Sequence, residues 1–170
     1  MKIALTGHTT GLGRAIFDSF QAKNVDIRGY SRSVGYDLTQ SGNQIRFITE
    51  CLDHQVDTVI LNAFAGGHGQ INLLNMLYRE WSNDSSKTCI VIGSQAADWN
   101  FNENITYAAY KTTLDRVSEL CSLNSAWRLS NIKPGRMGPI LKEQDVVNAI
   151  LWVLDQPPGV LVRSITLRGR

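Results

Sequence analysis

Apolar residues fall along this chain in two alternating kinds of run. Short runs rich in Ile, Val and Leu occur at Lys2–Leu5, Val25–Tyr30, Asp57–Asn62, Thr88–Ile92, Ser125–Ile132 and Val160–Leu167. Bounded by Gly, Ser, Asn and Pro, such runs predict buried strands. Between them the apolar positions recur at helical spacing. Ala15, Ile16 and Phe20 share a face from Arg14 onward, and Ile45, Phe47 and Ile48 mark a helix over Gln44–Cys51. Further helices are predicted over Ile71–Trp81, Thr106–Cys121 and Asp145–Leu154, the last with Val146, Ile150, Val153 and Leu154 turned inward. Asn83 to Ser86 is a polar loop. Strands alternating with helices predict an α/β fold: a doubly wound, mainly parallel sheet with helices on both faces.

The chain has 170 residues, 43% of them hydrophobic, which suits a single domain over 1–170 with a real core. Seventeen basic and fifteen acidic residues leave a net charge of +2, too balanced a surface to argue for nucleic acid. Arg163, Arg168 and Arg170 read as a solvated edge. Cys51, Cys89 and Cys121 lack the spacing of a zinc site or a disulfide framework. Cys89 in an apolar run and Cys121 on a helix stripe are expected in the core. Met1-Lys2 leads straight into a strand with no leader pattern, and no apolar run would span a bilayer. A reducing, cytoplasmic setting without membrane partners is the expectation.

The first strand runs into Thr6-Gly7-His8-Thr9-Thr10-Gly11-Leu12-Gly13, and a helix follows. Strand, glycine-rich turn and helix form a dinucleotide-binding opening. One glycine turns the chain sharply, one admits a pyrophosphate and one lets the helix pack on the strand. The phosphates meet the free N–H groups at the helix N-terminus. The bland alternative is a glycine-rich turn of any α/β domain. His8 is expected to cap a phosphate or to face solvent.

In such a sheet, ligands bind beyond the carboxyl ends of the strands, and polar or glycine residues recur there: Gly7, Arg32, Asn62, Ser94 and Pro134-Gly135. Ser31-Arg32-Ser33 follows the second strand, with no carboxylate before Asp37. An acidic residue there would take a ribose 2′-hydroxyl, whereas an arginine fork suits a 2′-phosphate. Tyr107 and Lys111 lie four apart, one helical turn, on the same face. An ammonium beside a phenol favours the phenolate and lets tyrosine exchange a proton with a carbonyl or hydroxyl. Tyr107, Tyr110, Leu114, Val117 and Cys121 also form a plain core stripe, so the pair alone decides little. Ser94 precedes Tyr107 by thirteen positions. No G-x-S-x-G elbow or P-loop is present, and His8, His54 and His68 have no metal spacing.

Taken in order, T-G-x-x-x-G-x-G at Thr6–Gly13, Asn62-Ala63-Phe64-Ala65-Gly66, Ser94, Tyr107-x-x-x-Lys111 and Pro134-Gly135 resemble the short-chain dehydrogenase/reductase family over nearly the whole chain. The second segment departs from the family's N-N-A-G by carrying Phe64 and a single asparagine. The resemblance implies a Rossmann-type domain and an NADP(H)-dependent oxidoreductase that interconverts a carbonyl and an alcohol. It implies Ser94, Tyr107, Lys111 and a helical asparagine as the catalytic set, with Asn72 chosen over its neighbour Asn75. Cofactor contacts are implied for Gly7, Thr9, Thr10, Gly11, Leu12 and Gly13, and for Ser31, Arg32 and Ser33. They are also implied for Asn62, Ala63, Phe64, Tyr107, Lys111, Pro134 and Gly135. Asp37-Leu38 resembles the pair that contacts adenine, and reads equally well as a turn and helix cap.

NADP(H) is expected over NAD(H), with a small carbonyl or alcohol as substrate. A non-catalytic NADP(H)-binding or regulatory protein of the same fold is the rival. Nine residues, Arg136 to Gln144, separate the Pro-Gly turn from the next helix, too few to fold into a cover over the substrate. A homodimer or homotetramer that closes the site is the expectation, and the resemblance implies the helices at Ile71–Trp81 and Thr106–Cys121 as its contact; the alternatives are a large substrate that brings its own cover, or lost efficient catalysis.

Overall fold

The computed structural model describes residues 1–66, 68–98 and 104–169. Six strands are present: β1 (Lys2–Thr6), β2 (Asp26–Tyr30), β3 (Thr58–Leu61), β4 (Thr88–Ile92), β5 (Arg128–Pro134) and β6 (Ser164–Leu167). Five helices join them: α1 (Gly11–Ala22), α2 (Ser41–Asp53), α3 (Gly69–Trp81), α4 (Ile105–Leu123) and α5 (Glu143–Leu154). All pairings are parallel, in the order β2-β1-β3-β4-β5-β6. The predicted α/β class, its doubly wound parallel sheet and its helices on both faces are therefore those of the structure.

Strand side chains alternate between faces, and so build two cores. Ile3 and Leu5 of β1, Ile60 of β3 and Ile90 and Ile92 of β4 face α1 and α5, where Ile16, Phe20, Val146 and Ile150 meet them. Ala4, Val59, Leu61, Cys89 and Val91 face α2, α3 and α4 and pack with Phe47, Leu73, Leu74, Leu77 and Leu114. The sheet is buried on both sides, which is why its strands read as continuous apolar runs rather than alternating ones. Cys51, Cys89 and Cys121 are free thiols within the core.

Most strand ends move by a residue or two, and two strands start well after the expected position. The run from Ser125 enters the ladder only at Arg128. Before that, Ala126 N–H is taken by the Ser82 carbonyl at 2.6 Å, and Trp127 fills the core beside Trp81. The last strand starts at Ser164 rather than Val160, because Val160 closes a turn onto the Pro157 carbonyl at 2.8 Å. Of the three C-terminal arginines, Arg163 and Arg168 are among the described residues; Arg170 lies outside them.

A parallel sheet brings every strand's carboxyl end to one edge, and that edge carries the predicted site residues. Between β5 and α5 the chain uses residues 135–142, with a tight turn from Gly138 N–H to the Leu141 carbonyl at 2.9 Å. No helix or strand forms within this connection.

Candidate active site

The glycine turn is built by contact. Gly7 and Gly11 have φ of +72° and +50°, the left-handed region that favours glycine. Gly13 fills a different need, since a Cβ there would stand 1.8 Å from the Gly7 carbonyl oxygen. α1 can seat on the turn only with hydrogen at that position. Gly7 N–H bonds the Tyr30 carbonyl at 2.7 Å, which brings the end of β2 against the loop. Thr10 supplies an extended N-cap without a side-chain bond of its own. Thr9, Thr10 and Gly11 are exposed there, while Leu12, in the first turn of α1, is partly buried against the core under that helix.

Two residues brace this turn from below. Thr6 is buried, and its Oγ1 accepts N–H bonds from Asn62 at 2.9 Å and Ala63 at 3.0 Å. Asn62 Nδ2 donates to the Thr6 and Gly7 carbonyls, each at 3.2 Å. Asn62 therefore locks the β3 end to the glycine turn. Thr6, quoted in the motif but not singled out from it, is its partner. His8 does not face open solvent. Its ring lies over Gly29, where a Cβ would come within 2.1 Å, and 5.0 Å from the Phe17 ring. Burial, aided by Arg14, pushes this imidazole below its ordinary pKa.

After β2 the chain makes a short 3-10 turn over Arg32–Val34, capped by Ser31 and closed by Gly35 at φ +85°. Ser31 is buried and shares a 2.8 Å hydroxyl bond with Ser33, while Arg32 is exposed. Asp37 forms a turn: its Oδ1 accepts from Thr39 Oγ1 at 2.7 Å and Thr39 N at 3.1 Å. Those bonds, with the Arg32 charge, hold its carboxyl below the usual range. The helix cap proper is Gln40, so Asp37 does not cap α2. Leu38 is buried against the same core.

Ser94 follows β4 by two residues. Its Oγ accepts the Ala96 N–H at 3.1 Å, capping a 3-10 turn over Gln95–Ala97. Gly93 before it has no room for a side chain, since a Cβ would lie 2.4 Å from Asn131 Oδ1. A Cβ on Gly135 would meet Gln95 Oε1 at 2.8 Å, so the Pro134-Gly135 bend lies directly against the serine turn.

α4 starts at Asn104, whose Oδ1 accepts the Tyr107 N–H at 2.9 Å. Tyr107 is partly exposed, with its ring 5.1 Å from that of Phe64. Lys111, one turn on, is only 4% exposed. Its Nζ donates to the Ile92 carbonyl at 2.9 Å and to Gln70 Oε1 at 3.0 Å. It also lies 5.8 Å from the Tyr107 ring centre and 5.6 Å from that of Phe64. Burial lowers its pKa to about 8. Lysine has three N–H donors, and two are engaged among the described residues. The buried stripe of α4 is Lys111, Leu114, Ser118 and Cys121; Tyr107 and Tyr110 sit at its open end. Tyr110 turns toward His68, 4.9 Å between rings.

The helical asparagine is corrected. Asn72 and Asn75 are both exposed on the outer side of α3. The α3 residue that reaches Lys111 is Gln70, 1% exposed, in a turn that the expected helix start at Ile71 left out.

No protein-family model matches the chain, and no curated protein matches it in sequence. Its fold, by contrast, is shared over nearly its full length. A serine dehydrogenase in its closed form complexed with NADP+ superposes with a TM-score of 0.81 at 15% identity, covering 98% of this chain and 94% of that one. A short-chain dehydrogenase/reductase from Vibrio parahaemolyticus gives 0.78 at 17% identity, covering 99% of each. The 3-alpha-hydroxysteroid dehydrogenase from Pseudomonas sp. B-0831 complexed with NADH gives 0.79 at 18% identity, over 98% and 94%. The chain thus has the fold of short-chain dehydrogenase/reductases.

Proposed function

We propose that this protein is an NADP(H)-dependent oxidoreductase interconverting a carbonyl and an alcohol, with Tyr107 as general acid/base. The observation that carries the reading is the buried Lys111 ammonium, one turn from Tyr107 and bonded to the strand end that leads to Ser94.

What supports a nicotinamide dinucleotide here is the turn itself: Gly13 lets α1 seat on the Gly7 carbonyl, and nothing stands within 4 Å of a Cβ on Gly11, which leaves the N-terminus of α1 open to an anion. Gly7, Thr9, Thr10, Gly11, Leu12 and Gly13 would hold the pyrophosphate. Ser31, Arg32 and Ser33 would take a 2′-phosphate, Leu38 and Ala63 the adenosine end, and Lys111, Pro134 and Gly135 the nicotinamide end. When bound, the cofactor supplies or accepts a hydride. Tyr107 holds the proton at its phenolic oxygen and exchanges it with the substrate oxygen. Lys111 stabilises the phenolate by its charge and keeps a free N–H donor for the site. Ser94, fixed by its own turn, donates its hydroxyl hydrogen to the substrate oxygen while its Oγ accepts Ala96 N–H. A cytoplasmic homo-oligomer, assembled through α3 and α4, suits a site whose short 135–142 connection brings no cover of its own.

Fluorescence titration with NADPH and NADH, followed by a carbonyl screen, tests the reading. NADPH binds more tightly, and Arg32→Ala narrows the gap by about tenfold or more, the loss of one charge-assisted phosphate contact. Equal affinity for both cofactors removes the NADP(H) assignment. Binding without turnover of any carbonyl compound favours a non-catalytic NADP(H)-binding protein.

A further inference from the structure

We infer that Gln70 is a positioning residue for Lys111, its carboxamide clamping the ammonium to the ends of β3 and β4 so that one N–H donor stays free for the site. The catalytic consequence rests on the oxidoreductase reading; the clamp itself does not.

The orientation of the amide follows from chemistry alone. Gln70 Nε2 lies 2.6 Å from the Leu61 carbonyl oxygen and 3.0 Å from that of Ile92, two groups that can only accept. Oε1 lies 3.0 Å from Lys111 Nζ, which can only donate. Reversing the amide would set donor against donor and acceptor against acceptor. The Ile92 carbonyl takes both Gln70 Nε2 and Lys111 Nζ, which closes a three-membered ring of polar contacts inside an apolar layer. A glutamine 1% exposed with both ends of its amide engaged is a built feature of the core.

The backbone places it there. Gly69 begins α3, and a Cβ on it would meet Ala65 Cβ at 2.7 Å and the Leu38 carbonyl oxygen at 2.8 Å. The helix start is pressed onto the strand ends, so the next side chain reaches between β3 and β4. Asn72, two residues on, points out of the same helix.

The clamp has an electrostatic task because no carboxylate is paired with Lys111 among the described residues. The groups facing it can be named element by element. Tyr107 on its own helix is titratable; α3 contributes the neutral Gln70, β4 the Ile92 carbonyl, and the segment after β3 the Phe64 ring. Asp98, Asp115 and Lys133, from the serine turn, α4 and β5, are tied to one another instead. Burial alone drives the ammonium toward its neutral form. The dipoles of one amide and one carbonyl oppose that, so losing the amide oxygen lowers its proton affinity and replacing it by a carboxylate raises it.

The test follows Lys111 directly, by NMR titration of protein labelled at lysine Cε, with Lys111→Arg giving the assignment. Gln70→Met keeps the shape and is expected to lower the midpoint by about one pH unit, tenfold in proton affinity; Gln70→Glu moves it up. If the enzyme reading holds, the alkaline limb of kcat/KM moves with the midpoint, down in Gln70→Met and up in Gln70→Glu, even though the second carboxylate oxygen of Glu faces the Leu61 and Ile92 carbonyls and lowers overall turnover. A purely structural role would lower activity in both variants without opposite displacements. Midpoints unchanged in both variants overturn the proposal, whatever the protein turns over; absence of turnover with displaced midpoints leaves the clamp standing and sinks only the enzyme reading. Should neither variant fold, the wild-type protein decides. A slowly exchanging Lys111 ammonium resonance at neutral pH is required by the clamp, and an ammonium in free exchange with solvent refutes it.

Discussion

Burying a lysine makes a quantitative claim about stability, and Lys111→Met tests it. In the unfolded chain the ammonium titrates near 10.5, while in the fold it is lowered to about 8 by burial. Between those values the unfolded state binds more protons, so stability rises with pH across that window. Below about pH 8 both states are protonated and the full penalty for the buried charge is present; above 10.5 both are neutral and it is gone. At ~1.4 kcal/mol per pH unit the gap is worth about 3–4 kcal/mol, most of which is recovered between pH 7 and pH 10.

Other groups titrate in the same range with the opposite sign. Burial pushes Cys51 up to about 12, raises Cys89 and Cys121, raises Tyr30 and takes Tyr36 to about 12. Each loses its proton first in the unfolded chain, so each withdraws stability as pH rises past its unfolded value. The wild-type curve alone is therefore a mixture. The difference between variant and wild type cancels these shared terms. Urea unfolding at pH 7, 8, 9 and 10 is the assay. Whatever its offset at pH 7, which includes the contact removed from Gln70, the stability of Lys111→Met relative to wild type falls by about 2–3 kcal/mol by pH 10. Parallel curves for the two proteins would show that Lys111 titrates as it does in water, and would refute the buried-ammonium argument.

Tyr107→Phe is expected to abolish turnover with cofactor affinity nearly unchanged, because the ring and its contact with Phe64 remain and only the proton is lost; Tyr110→Phe keeps most activity, since that ring turns toward His68. Steady-state kinetics with the reverse order of effects would place the proton on the wrong side of α4. Gly13→Ala forces a Cβ to 1.8 Å from the Gly7 oxygen, and is expected to cost about 2–4 kcal/mol in thermal unfolding and to eliminate NADPH binding. Gly11→Ala meets open space and suffers only its positive φ, about 1 kcal/mol, so its melting curve should lie close to that of the wild type.

Most of the architecture is legible because the sheet is covered on both faces. A strand that buries both sides has no polar alternation to blur it, and Thr88–Ile92 lies where its apolar run lies. Reading fails where apolar residues lie outside the ladder. Trp127 is a core residue of the approach to β5, whereas Val160 and Leu161 are exposed on the run from a proline turn to β6. Composition cannot separate these from strand residues, because burial and ladder pairing are different conditions. The glycines divide similarly. Their spacing announces a turn, but only the backbone shows that Gly13 is needed for contact and Gly11 for its dihedral.

Gln70 shows what signal remained unused. Leu73, Leu74, Leu77 and Trp81 form the buried stripe of α3, and counting back three, four, seven and eleven residues from them reaches position 70. A helix begun at Ile71 makes Gln70 a loop residue and leaves Asn72 as the polar group nearest the site in sequence. Extended by one turn, the same periodicity puts Asn72 and Asn75 outside and a glutamine in line with the leucines. An uncharged polar side chain at a core position must find partners or be selected against, because leaving it unpaired costs about 1–3 kcal/mol. At a strand-end edge that already carries a lysine on the facing helix, the available partner is that lysine. The chemistry of the site is thus written in the helix's own phase: the residue that breaks the apolar stripe, rather than an asparagine on the outer face, is the one that touches Lys111.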